Sequence, residues 1–119
     1  MAEKTFNNRS AASLQIVLLV RRGSNPANFA GEVVFTLPPG QSRTIFYGSE
    51  ENPFLNGIVM STNFNGDIYS KTQIVTVRGT QFDNLLNFNS IIDIIPISTD
   101  YVMFGRNPEM VMQDTKLTS

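Results

Sequence analysis

The chain of 119 residues contains no cysteine and no histidine. The first absence excludes disulfides, thiolate zinc sites and cysteine nucleophiles. The second removes the commonest general base together with the commonest transition-metal ligand. Charge is also scarce: 16% of the residues are Asp, Glu, Lys or Arg, against about 25% in an average soluble domain. A surface so thinly charged is unusual for a chain that must stay dispersed as a monomer. The formal net charge is −1 and the nine basic residues are scattered, so no basic stripe exists and nucleic acid is not an expected partner. The longest wholly apolar run, 16–20, is far short of the ~20 residues of a membrane helix, and no membrane partner is expected. "MAEKTFNNRS" at the N-terminus has no apolar h-region, so no secretion signal is expected. Synthesis in the cytoplasm follows, with assembly there and later release as a particle both compatible.

What the chain does have is apolar residues, 41% of the total, cut into short pieces by turn-forming clusters. The spacing predicts strands over 4–9, 13–21, 31–37, 43–47, 57–63, 67–71, 73–78, 91–97 and 101–104. In "EVVFTLPPGQSRTIFYG", residues 32–48, Val33, Phe35 and Leu37 alternate with Val34 and Thr36, the period of a strand. Pro38-Pro39-Gly40 then ends the pairing, because proline has no N–H and glycine tolerates positive φ. A hairpin is expected there, and a second at Asn65-Gly66, where Asn-Gly favours the type I′ turn. Helical signal is confined to 83–88, at most one turn, with Asp83 as its N-cap. Many short strands and few helices predict an all-β antiparallel sandwich, immunoglobulin-like or jelly-roll, of about eight or nine strands. One domain is expected over 1–112, with an N-terminal arm at 1–8 and a flexible tail at 113–119. The words "LPPGQSRTI" resemble the strand-turn-strand of many bacterial immunoglobulin-like sandwich modules, a resemblance that implies fold alone.

A catalytic toolkit is hard to assemble from these residues. Without histidine, a hydroxyl nucleophile would need lysine or a carboxylate as base, and the only lysines are Lys4, Lys71 and Lys116. Asp67, Asp83, Asp93, Asp100, Glu32, Glu50 and Glu51 could supply the pair of a glycosidase, but surface charge is the expected role of such acids. "NFNGD" spaces Asn63, Asn65 and Asp67 like calcium ligands, yet puts glycine at the fourth position where an EF-hand needs it at the sixth. Arg21 and Arg22, adjacent at a strand end, should point to opposite faces and take structural or rim roles. No catalytic, cofactor-binding or metal-binding residue is therefore assigned, and no cofactor is expected. Phe29, Phe54, Phe82 and Phe88 lie in loops near asparagines, the composition of a carbohydrate platform or of rings that plug the sandwich ends.

The most informative feature is an apolar excess. In "SLQIVLLVR", Leu14, Ile16, Leu18 and Val20 form one face, but Val17 and Leu19 make the centre of the other apolar too. In "IIDIIPI", Ile91, Ile95 and Ile97 share a face with Asp93, with Ile92 and Ile94 opposite. A two-layer sandwich has one interior, so second faces of this kind need cover. Asp93 and Pro96 read as devices against uncontrolled strand pairing. The expectation is a non-enzymatic structural protein whose partner is itself: a homo-oligomer, shell, filament or ordered inclusion. Its interface is expected at Val17, Leu19, Ile92, Ile94, Met110 and Met112, with terminal arms contributing. The alternative is a carbohydrate- or protein-binding module, with ligand contacts at Phe54, Phe82, Asn63 and Asn65.

Overall fold

A computed structural model of the chain describes residues 2–64, 67–98 and 100–107. Eight strands and one short helix follow one another as β1 (Ala2–Asn8), β2 (Leu14–Arg21), β3 (Phe29–Leu37), β4 (Ser42–Tyr47), β5 (Leu55–Phe64), β6 (Asp67–Ile74), α1 (Gln81–Asn87), β7 (Ile91–Ile97) and β8 (Asp100–Arg106). They form two four-stranded sheets, ordered β4-β1-β7-β8 and β3-β2-β5-β6. The result is the all-β sandwich that the strand spacing predicts. One ladder departs from the antiparallel rule: β1 runs parallel to β7.

The inner faces pack as the period of two requires. Leu14, Ile16 and Leu18 of β2 meet Phe6 of β1, Leu37 of β3, Ile58 and Met60 of β5, and Ile92 and Ile94 of β7 in one core. The Phe6 and Phe35 rings lie 5.4 Å apart at 50°, an inclined contact of the kind aromatic pairs favour.

Several expectations need correction. The segment 1–8, expected as an arm, supplies β1 instead, an inner strand paired with β4 on one side and β7 on the other. Its inward side carries Lys4, Phe6 and Asn8, which is why its sequence looks too polar for a central strand. Asn8 survives burial because Nδ2 donates to the carbonyls of Ala12 and Leu37 at 2.7 and 2.9 Å. Pro38-Pro39-Gly40 does not close a hairpin: β3 and β4 belong to different sheets, so the turn is the corner between layers. Gly40 takes φ +68° there, and the amide of Gln41 donates to Pro38 O at 3.2 Å. The predicted strands 67–71 and 73–78 are one strand, β6, with a connection after it. β5 and β6 pair out to Phe64 and Asp67, the register a two-residue hairpin needs, although Asn65 and Gly66 themselves lie outside the described residues. So do Met110, Met112, the tail 113–119 and the boundary at 112.

Helix α1 begins earlier than expected. Thr80 is its N-cap, accepting the Asp83 amide at 3.4 Å, and seven residues give it about two turns. Asp83 is therefore not the cap but the third helical residue, and its carboxylate is turned inward.

Candidate functional site

Two features of the described residues are candidates for function: the outer faces of the sheets and a pocket at one end of the sandwich.

On the outer face of the β3-β2-β5-β6 sheet, the register aligns Val34, Val17 and Val59 in one row and places Leu19, Gly57 and Ile74 in the next. Val17, Leu19 and Val59 are half-buried by their neighbours, while Val34 and Ile74 at the margins are each 54% exposed. Gly57 stands between Leu19 and Ile74, and β6 passes so close that a Cβ there would lie 2.6 Å from the Gln73 carbonyl oxygen. Gln15, Glu32, Thr36, Ser61 and Ser70 surround the rows. The expected positions Val17 and Leu19 thus face outward. Val34, Val59 and Ile74 were not singled out by the sequence, although the apolar outward position of Val34 was visible in its alternation with Val33 and Phe35.

On the other sheet the expected faces of β7 are exchanged. Ile92 and Ile94 are 0% exposed and belong to the core. The outward set is Ile91, Asp93, Ile95 and Ile97, joined by Val102 and Phe104 of β8. Asp93 also proves different from an edge guard, because β7 is an inner strand. Its carboxylate accepts Asn7 Nδ2 at 2.7 Å and Arg106 Nε at 2.8 Å, with Arg9 Nε 3.3 Å away. Burial opposes its ionisation, but the hydrogen bonds from Arg106 and Asn7 and the two guanidinium charges outweigh that and hold its pKa below the usual carboxylate value.

The pocket is built on a break in strand regularity. Beside Val20 and Arg21, the pairing with β3 jumps from Gly31 to Phe29 and that with β5 from Gly57 to Leu55. These bulges let consecutive residues of β2 turn inward, so Arg21 is 1% exposed while Arg22 remains in solvent. Arg21 Nε donates to Asn56 Oδ1 at 2.7 Å, and Nη2 to Leu55 O at 2.9 Å and Asp83 Oδ1 at 2.8 Å. Asp83 also accepts Gly79 N and Asn87 Nδ2, each at 2.8 Å. Burial would raise the Asp83 pKa, but these donors and the Arg21 charge hold it low instead. Asp83 is therefore ionised beside the Arg21 guanidinium, a buried pair in which both carboxylate oxygens have donors. Above them opens a cavity of about 340 Å³ walled by Phe54, Phe88, Arg78 and Gly79, with Arg21, Asp83 and Asn87 at its base.

The four residues expected as ligand contacts do not converge. Phe54 lines this cavity, whereas Phe82 packs against the core. Asn63 stands on β5 eight residues beyond Leu55, about 27 Å away at a strand's rise, and Asn65 is outside the described residues. Among the described residues, no group of three or more acidic side chains is placed to hold a metal ion, and no helix is long and apolar enough to cross a membrane. Comparison with protein-family models, curated proteins and solved structures finds no match to this chain.

Proposed function

We propose that this chain is a non-enzymatic structural protein that self-associates through its outer sheet faces into a homo-oligomer or a larger ordered assembly. The observation that carries the reading is the double row Val34–Val17–Val59 and Leu19–Ile74 across the face of one sheet. Apolar area of this kind is stabilised by removal from water at about 25 cal/mol per Å², and a polar rim around an apolar centre is the usual anatomy of a subunit interface. The outward Ile91, Ile95, Ile97, Val102 and Phe104 give the opposite sheet a second such surface. With low overall charge, little opposes face-to-face packing. The non-enzymatic part of the reading is supported by the two buried aspartates, since the oxygens of each are committed to arginine and amide donors within the fold.

The test is light scattering coupled to size-exclusion chromatography over a roughly hundredfold dilution, with negative-stain imaging of the same fractions. A discrete multimer or regular particle that persists on dilution is expected, and Leu19→Lys or Val17→Lys should release folded monomer. A 13.2 kDa monomer at every concentration would sink the proposal.

A further inference from the structure

We infer that the cavity above the Arg21–Asp83 pair is a binding site for a small aromatic carboxylate. Three features of the site lead there, and none of them is needed for self-association.

The first is an unspent donor. Arg21 Nε and Nη2 are both engaged, but Nη1 has no acceptor among the described residues. Every fully sealed side-chain nitrogen or oxygen among those residues has a partner. Nη1 is therefore not sealed, and the opening available to it is the cavity that Arg21 lines. A guanidinium 1% exposed, with one nitrogen unengaged beside a cavity that the residue lines, is a preorganised donor for an anion.

The second is charge. Arg78 stands in solvent at the rim without an ion pair or hydrogen bond among the described residues. Arg21 and Arg78 against Asp83 leave a net charge of +1 on the lining, two minus one. Asp83 has already committed Oδ1 to Arg21 and Asn87 and Oδ2 to Gly79. One positive charge on two guanidinium groups matches a carboxylate, whose geometry their planar forks fit. A phosphate, carrying close to two negative charges, would be left half-compensated.

The third is the wall. The Phe54 ring lies 5.8 Å from the Arg21 guanidinium, and Phe88, at the C-terminal end of α1, is 62% exposed beside the opening. Two rings around a cavity of about 340 Å³, within the ~300–1,000 Å³ typical of ligand sites, call for a flat apolar body. A sugar fits less well, because the nearest amides are spent. Asn87 Nδ2 donates to Leu55 O and Asp83, its Oδ1 accepts Leu55 N, and Asn56 bridges Arg21 and Asn28.

The experiment is equilibrium dialysis of the full chain against 2-naphthoate, read by naphthalene fluorescence, which no tryptophan in this chain obscures. The neutral 2-naphthalenemethanol serves as the matched control. Saturable binding of one naphthoate per chain is expected, about tenfold or more tighter than the alcohol, the worth of a charge-assisted hydrogen bond. Arg78→Gln should weaken naphthoate while leaving the alcohol unchanged, and Phe88→Ala should weaken both ligands. Both positions are exposed, so neither variant depends on repacking the core, and circular dichroism checks that each is folded. No saturable naphthoate binding up to about 1 mM, the weakest affinity worth calling a site, overturns the inference. So does equal affinity for acid and alcohol, or naphthoate binding untouched by both substitutions.

Discussion

At the residue scale, Arg21 and Asp83 show how burial changes what a charge does. Each is nearly sealed from solvent, and the 2.8 Å contact between them replaces the hydration both have lost. Breaking such a pair by removing one partner leaves an uncompensated charge in a medium of low polarity. Asp83→Asn is expected to lower unfolding free energy by about 3 kcal/mol or more, measured by urea denaturation. A surface change such as Glu50→Gln should stay within about 0.5 kcal/mol. Lys4 gives a second prediction with a sign. Burial lowers its pKa from 10.5 to about 8, so between those values the unfolded chain binds more protons than the folded one. Stability should therefore rise as pH increases from about 8 toward 10. Above pH 10, Tyr47, raised by burial to about 12, reverses the trend, because the folded state then holds the proton that the unfolded chain has lost. Thermal melts across that range check this, and Lys4→Met should lose the rising limb.

At the scale of the element, turns and caps carry the local specificity. Thr80 caps α1, and Thr80→Ala should cost about 1 kcal/mol while weakening the placement of Asp83 beneath the cavity. Gly48, between β4 and β5, is more constrained. It holds φ +65°, and a Cβ would fall 2.0 Å from the Asn52 carbonyl oxygen. Gly48→Ala must move backbone as well as occupy a disfavoured conformation, so a loss of about 2 kcal/mol or more is expected in the denaturation midpoint. The strands themselves were largely legible from alternation. The exceptions have separate causes. β1 looked like an arm because Lys4 and Asn8 occupy inward positions, made acceptable by acceptors at Asn89 O, Ala12 O and Leu37 O that are distant or unreadable along the chain. Pro38-Pro39-Gly40 looked like a hairpin because corner and hairpin use the same turn chemistry, and only the pairing partners distinguish them.

At the scale of the whole molecule, the two layers decide which apolar residues remain outside. Ile92 is sealed between sheets, whereas Leu19 lies on an outer face. Ile92→Lys should therefore abolish the folded state, since it would bury an unpaired ammonium at a cost of several kcal/mol. Leu19→Lys should leave a β-rich circular dichroism spectrum intact while reducing association. Loss of folding in both variants would place Leu19 among the residues that hold the sandwich together. The cavity behind Arg21 belongs to this scale as well, because its parts come from β2, α1 and the connections before β5 and before α1. Arg21 and Asp83 are 62 positions apart, and in the sequence one reads as the end of a strand and the other as a helix cap.

The sequence by itself determined the class of fold, because a period of two in apolar residues, interrupted by turn formers, can be buried economically only in sheets that face one another. It also determined that several strands would be apolar on both sides, and that histidine and cysteine chemistry would play no part. It did not determine which side of β7 is inner. Ile92 and Ile94 on one side and Ile91, Ile95 and Ile97 on the other are equally suited to a core, and a shift of one residue exchanges them. Pairing with β1 and β8, and contact with the opposite sheet, made that choice. The tertiary structure likewise decided the fate of Arg21. Alternation along β2 puts it on the outer face, and only the bulges in the neighbouring strands turn it inward to meet Asp83.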